Sequence, residues 1–191
     1  MPLTVSPELV SLVQKNDKSA KKQVFEAYYS KFAAIAQRYA KSQAQAEELV
    51  NEGLNKCLYK LQNAGQIPDL DQVMEKEFIA ASVAFLMNIR SEYYVASTVF
   101  ASETAPKNYD LFANNELIDY NKVNNDILVK SLQKLVPSQR LIFNLHVVDG
   151  YSLIDAALLL DSSEQTAKSN LEKARFNLQK NIENSLKSVK V

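Results

Sequence analysis

The sequence predicts an all-α protein. Only three glycines and five prolines punctuate 191 residues, fewer than the closely spaced turns of a sheet require. No stretch sustains an apolar/polar alternation, and apolar residues recur instead at intervals of three and four. That spacing lapses once, between Ser97 and Asn125. The expectation is two small helical domains joined by a flexible linker.

Each element has a local reason. Ser6-Pro7 starts a short helix through Val13, a capping hydroxyl followed by proline at the first helical position. Asp17 caps a longer helix whose stripe is Phe25, Tyr28, Tyr29, Phe32, Ile35, Ala36 and Tyr39. Ser42 caps the next, with Leu49, Val50, Leu54, Cys57, Leu58 and Leu61 on its apolar face. It runs out at Asn63-Ala64-Gly65, with Pro68 beyond. A fourth helix is expected over Leu70 to Ala96. The segment that follows is rich in Ser, Thr and Asn and carries net charge −2, which reads as an acidic linker. Helical spacing returns with Ile127, Leu128, Leu132 and Leu135, and Pro137 opens a helix through Val148. Gly150 stands where a left-handed cap would go, and Ser152 caps a short helix to Leu160. After Asp161-Ser162-Ser163, a last helix places Ala167, Leu171, Ala174, Leu178 and Ile182 on one face. The expected domains are 1–96, a linker at 97–125, and 126–191.

Composition narrows the classes of function. Hydrophobic residues at 47% and charged residues at 23% are those of a folded globular chain. No apolar run approaches the roughly 18 residues of a membrane span, and MPLTVSPELV lacks a signal pattern, so a cytoplasmic protein is expected. The single cysteine, Cys57, excludes an intramolecular disulfide. Net charge is zero, so any attraction to nucleic acid must be local. Residues 126–191 carry nine basic and seven acidic side chains, whereas the first 96 residues balance.

No enzyme site can be assembled. His146 is the only histidine and lies in the apolar run FNLHVV, which suits a core or half-buried residue. Cys57 shares a face with leucines and reads as an inert thiol. One His and one Cys far apart form no zinc site, and no glycine-rich phosphate loop is present. No cofactor or metal is therefore expected. The stretch VVDGYSLIDAALLLDSSEQTAKSNLEKAR reads instead as a helix-turn-helix. Ala156 and Ala157 provide a close helix contact, Asp161 tolerates positive φ, and Ser162 or Ser163 caps the second helix. Thr166, Lys168, Ser169, Asn170, Lys173 and Arg175 then offer contacts to phosphates or base edges. A plain helical hairpin with a charged outer face fits the same spacing.

The stretch from Gln139 to Lys180 resembles region 4 of the extracytoplasmic-function (ECF, group 4) sigma factors of bacterial RNA polymerase. It shares Gln139, Arg140, Gly150, Tyr151, Ser152, Thr166, Lys168, Ser169, Leu171, Ala174 and Arg175 with the family pattern. YYSKFAAIAQRYAKSQAQAEELVNEGLNKCLYKL resembles region 2 of the same family, Ala46 to Glu52 standing where Ala-Glu-Asp-Leu-Val-Gln-Glu is usual. The resemblance implies a non-catalytic subunit that directs transcription initiation. Its partners would be promoter DNA and core RNA polymerase, through the β′ clamp helices and the β flap. Glu48, Leu49, Asn51 and Glu52 become the implied polymerase contacts. Asn88, Arg90, Tyr93 and Tyr94 become contacts near the −10 element.

The departures carry information too. Laid on the family's −10-reading segment, FIAASVAFLMNIRSEYYV keeps Phe78 and Asn88, and Glu92 stands for an aspartate. Ala81 replaces a tryptophan and Val95 an arginine, and Arg90 is the one cation between Lys76 and Lys107. A segment that grips phosphates and stacks bases would carry more cations and aromatics. In region 4, Asp155-Ala156 replaces Glu-Ile, Ser162 an isoleucine and Ala167 a valine. The expectation is a sigma factor with weak or atypical promoter reading, brought to DNA by a recruiter such as a DNA-bound or RNA-guided protein. Two other readings stay open. One is a degenerate paralogue that binds an anti-sigma factor; the other is a stand-alone helix-turn-helix regulator.

Overall fold

The computed structural model describes residues 5–65, 67, 69–88 and 119–188, and every regular element among them is helical. The chain divides into two compact units, Met1–Leu86 and Met87–Val191. Most of the sequence between the two sets of helices, including the linker expected at 97–125 as far as residue 118, lies outside the described residues.

The first unit holds α1 (Pro7–Gln14), α2 (Lys18–Tyr39), α3 (Gln43–Asn63) and α4 (Leu70–Asn88). The expected caps form. Ser6 Oγ accepts the Leu9 amide, Asp17 Oδ1 the Ala20 amide, and Ser42 Oγ the Gln45 amide. Between α1 and α2 the chain turns at Asn16, whose φ is +65°. The Asp17 amide reaches Leu12 O and the Asn16 amide Val13 O, a Schellman arrangement, so only Lys15, Asn16 and Asp17 separate α1 from α2.

The core of this unit is an aromatic stack. Tyr28 lies over Phe32 at 5.2 Å between ring centroids, and Phe32 over Phe78 of α4 at 4.3 Å. Phe78 packs directly on the backbone of α3 at Gly53, where no side chain intervenes. Cys57 Sγ approaches Met74 O at 3.4 Å, and burial pushes its thiol up to about 12. Tyr28 donates from its hydroxyl to Asp71. Burial first, and that carboxylate second, raise its pKa well above the ordinary phenol value. The stripe of α2 differs from expectation in one respect. Ala20 and Val24 are buried, whereas Tyr29 is 45% exposed and pairs at the surface with Phe25.

The second unit opens with a 3-10 turn, Tyr120–Lys122. Then come α5 (Asn125–Gln133), α6 (Pro137–Phe143), α7 (Leu153–Leu159) and α8 (Glu164–Ser188). A π-helical turn, Asn144–Val148, extends α6. Helices α5, α6 and α7 all pack on α8. Leu132, Leu135, Ala174 and Leu178 form a core cluster with Phe143 and Ile182 against it.

Two buried polar residues hold this unit together. The Arg140 guanidinium, 2% exposed, donates through Nη1 to Leu135 O at 2.7 Å and Gln133 O at 3.2 Å. It thus satisfies carbonyls at the end of α5 that have no helical partner. Gln139 accepts from Asn177 Nδ2 at 2.9 Å, and Asn181 Nδ2 donates to Ser131 O at 3.1 Å, fixing the rotation of α8.

Candidate nucleic-acid interface

Three successive backbone devices set up α7 and α8. The π-helical turn adds one residue to the end of α6, and the Asp149 amide reaches Asn144 O at 2.9 Å. Gly150 then takes φ +73°, a left-handed position for which glycine carries no Cβ penalty. The Tyr151 amide returns to Leu145 O at 2.9 Å. That is one residue further back than an ordinary cap, as the inserted π turn requires. His146 belongs to this junction. It is half-buried, and its Nδ1 lies 2.9 Å from Tyr151 O.

Ser152 caps α7 through Oγ, which accepts the Asp155 amide at 3.0 Å and donates to the Asp155 carboxylate at 2.6 Å. Helix α7 ends in a second Schellman motif. The Ser162 amide bonds Ala157 O at 3.0 Å, the Asp161 amide bonds Leu158 O at 3.2 Å, and Asp161 takes φ +46°. Ser163, rather than Ser162, caps α8: its Oγ accepts the Thr166 amide at 3.1 Å. Ser162 Oγ turns inward to Ala157 O at 3.4 Å. Ala156 and Ala167 are almost wholly buried. Small side chains there let the two helices approach closely, in place of larger apolar ones.

The break between α7 and α8 is therefore four residues long, 160–163, and its geometry is locked at both ends. Helix α8 buries Ala167, Leu171, Ala174 and Leu178. Among the residues expected to meet DNA, Thr166, Lys168, Ser169 and Arg175 are exposed, and Lys173 is half-exposed. Asn170 is half-buried and lies nearest the core stripe.

In the first unit, the sequence-predicted polymerase contacts divide. Glu48 and Asn51 are exposed on the outer face of α3, and Glu52 beside them pairs with Lys56 at 3.6 Å. Leu49 is a correction: its side chain is 0% exposed, on the opposite face with Val50, Leu54 and Cys57. It packs the unit and has no surface with which to touch a partner. Asn88 is the exposed last residue of α4, and Arg90, Tyr93 and Tyr94 lie outside the described residues.

Sequence reasoning assigned no role to Arg140, Gln139 or the π turn, all of which position α8. The Gln-Arg pair within the region 4 resemblance was the available signal. Gln165 was also passed over; it is exposed in the first turn of α8. Among the described residues, no helix is long and apolar enough to cross a membrane, and no three His, Cys, Asp or Glu side chains could hold a metal ion.

Two helices joined by a capped, left-handed break, the second presenting a polar outer face, define a helix-turn-helix module of the DNA-binding kind. Residues 125–178 match the family model for sigma-70, region 4. Residues 125–178 thus form a sigma-70 region 4 domain, and the match supports a sigma-factor role in transcription initiation. Such a domain implies interaction with core RNA polymerase and promoter DNA, and sigma factors are in general non-catalytic. No curated protein matches the chain. Helix α8 continues ten residues past the matched segment, to Ser188.

Proposed function

We propose that this protein docks on core RNA polymerase through the outer face of α3 and holds an upstream promoter element with α8. In this reading residues 1–96 act as the region 2 domain, 97–125 as the linker and 126–191 as the region 4 domain. Glu48, Asn51 and Glu52 contact the β′ clamp helices, and the region 4 domain also meets the β flap. The observation that carries the reading is the region 4 match on a unit whose second helix leaves Lys168 and Arg175 exposed.

Promoter reading is weak or atypical, because Arg90 is the one cation between Lys76 and Lys107 and Ala81 stands where the family has a tryptophan. A recruiting protein, bound to DNA directly or through a guide RNA, then brings the polymerase to its site.

The test is co-purification with core RNA polymerase, wild type against Glu48→Ala/Asn51→Ala/Glu52→Ala, followed by run-off transcription on genomic fragments. Binding by wild type and its loss in the triple variant is the expected result, and the transcripts then report whether promoters are found unaided. Failure of the wild type to bind would overturn the reading in favour of a paralogue that captures an anti-sigma factor.

A further inference from the structure

We propose that base-pair selectivity resides in the outer ridge of α8, formed by Gln165, Ser169 and Glu172, while the cations beside it grip the backbone without regard to sequence. The inference rests on the DNA-binding reading above and assigns the work within it. Ala167, Leu171, Ala174 and Leu178 form the buried stripe of α8. Gln165, Ser169 and Glu172 stand two positions before the first three of these. At about 100° per residue they point some 130° to 170° away from the centre of that stripe. All three are exposed, and the ridge ends at Phe176, which is half-buried.

The side chains on either border differ in kind. Lys168 and Arg175, seven residues apart, lie along one edge; Thr166 and Lys173, also seven apart, lie along the other. A helix seated in a major groove has a sugar-phosphate strand on each side and base edges beneath its outermost ridge. Long cationic side chains on the two borders suit the strands, where contacts fix position and carry no sequence information.

The ridge itself carries no cation. Gln165 can donate and accept in one plane, the pattern that meets the N6 and N7 edge of adenine. Glu172 accepts only, and a carboxylate turned toward DNA is repelled by phosphates unless it finds a donor such as cytosine N4. Seven residues separate the two, a rise of about 10.5 Å along the helix. That corresponds to roughly three base-pair steps of 3.4 Å. The region 4 match independently points this helix at duplex DNA.

The experiment is selection from randomised duplexes, read by sequencing, with the full-length chain alone and bound to core RNA polymerase. Wild type is compared with Gln165→Ala, Glu172→Ala and Lys168→Ala/Arg175→Ala, each checked for unchanged helicity and melting. The expected result is a loss of roughly tenfold in preference at one base pair for Gln165→Ala. Glu172→Ala should lose a similar preference at a second pair about three steps away. The double cation variant should bind all sequences more weakly, with unchanged ranking. Wild-type preference retained in both ridge variants would overturn the ridge assignment alone. A wild type without sequence preference in either form would overturn the promoter-binding reading as well.

Discussion

Gly53→Ala is the substitution whose cost the structure sets most directly. A Cβ built at Gly53 would stand 2.5 Å from Phe78 Cε2 and 2.6 Å from Cδ2, whereas ordinary contact begins near 3.4 Å. The ring would have to retreat by about 1 Å, a distance that follows from that difference. It cannot do so freely, because Phe78 is fully buried and its ring is stacked with Phe32 at 4.3 Å between centroids. Overpacking of this kind costs about 1–3 kcal/mol. Alanine recovers up to about 1 kcal/mol through its better helix propensity. With the ring pinned, the clash belongs at the upper end of that range, about 2–3 kcal/mol, leaving a net loss of about 1–2 kcal/mol and a fall of roughly 4–16 °C in the melting temperature of a unit this size. Gly65→Ala is the control, since nothing lies within 4 Å of a Cβ there. Thermal and urea unfolding followed by circular dichroism measure both. A Gly53→Ala protein as stable as wild type would refute the reasoning and show that α4 can shift across α3 at little cost.

Three further outcomes are expected. Leu49→Ala should destabilise the first unit by about 2–5 kcal/mol in urea titration, because it empties a fully buried site. The Glu48→Ala/Asn51→Ala/Glu52→Ala variant should melt like wild type, and equal midpoints for the two would contradict this division of α3. Arg140→Ala should lower the stability of the second unit by about 1–3 kcal/mol, since two carbonyls at the end of α5 lose their donor. Lysine at that position should rescue only in part, lacking the planar fork, and full rescue would refute the capping role. Stability should also fall in alkali. With the Cys57 thiol raised to about 12 in the fold, its contribution is complete below an unfolded-state value near 9 and lost as pH climbs toward 12. Tyr28, also raised, adds to the decline at higher pH. Cys57→Ala should flatten the limb between pH 9 and 10, where the slope from one such group is roughly 1 kcal/mol per pH unit; an unchanged limb would remove Cys57 as its cause.

Helix positions and their starts were legible because a capping hydroxyl or carboxylate bonds an amide three residues away, a purely local event. Asp17, Ser42 and Ser152 each do so, and Gly150 takes the left-handed turn its lack of a Cβ suggested. The apolar face of α8 was legible for the same kind of reason, since 3.6-residue periodicity is written into the chain. The site was legible only as a set of polar residues on a helix. Which of them lie on the outward ridge of α8 depends on the rotation of that helix. That rotation is fixed by bonds spanning 38 and 50 residues, from Asn177 to Gln139 and from Asn181 to Ser131.

The sequence by itself determined where the chain coils, since caps and periodicity act within a turn or two. Tertiary structure decided which face of each helix remains for a partner. Leu49 stands between residues that resemble a docking motif, yet it is buried because Val50, Leu54 and Cys57 turn the same face inward. Arg140 looks like a surface cation and is buried because the end of α5 supplies carbonyls that only folding brings to it. Phe78 can lie against α3 only because Gly53, 25 residues earlier, carries no side chain. Burial depends on what packs against a residue, and that is settled between distant segments rather than among neighbours in the chain.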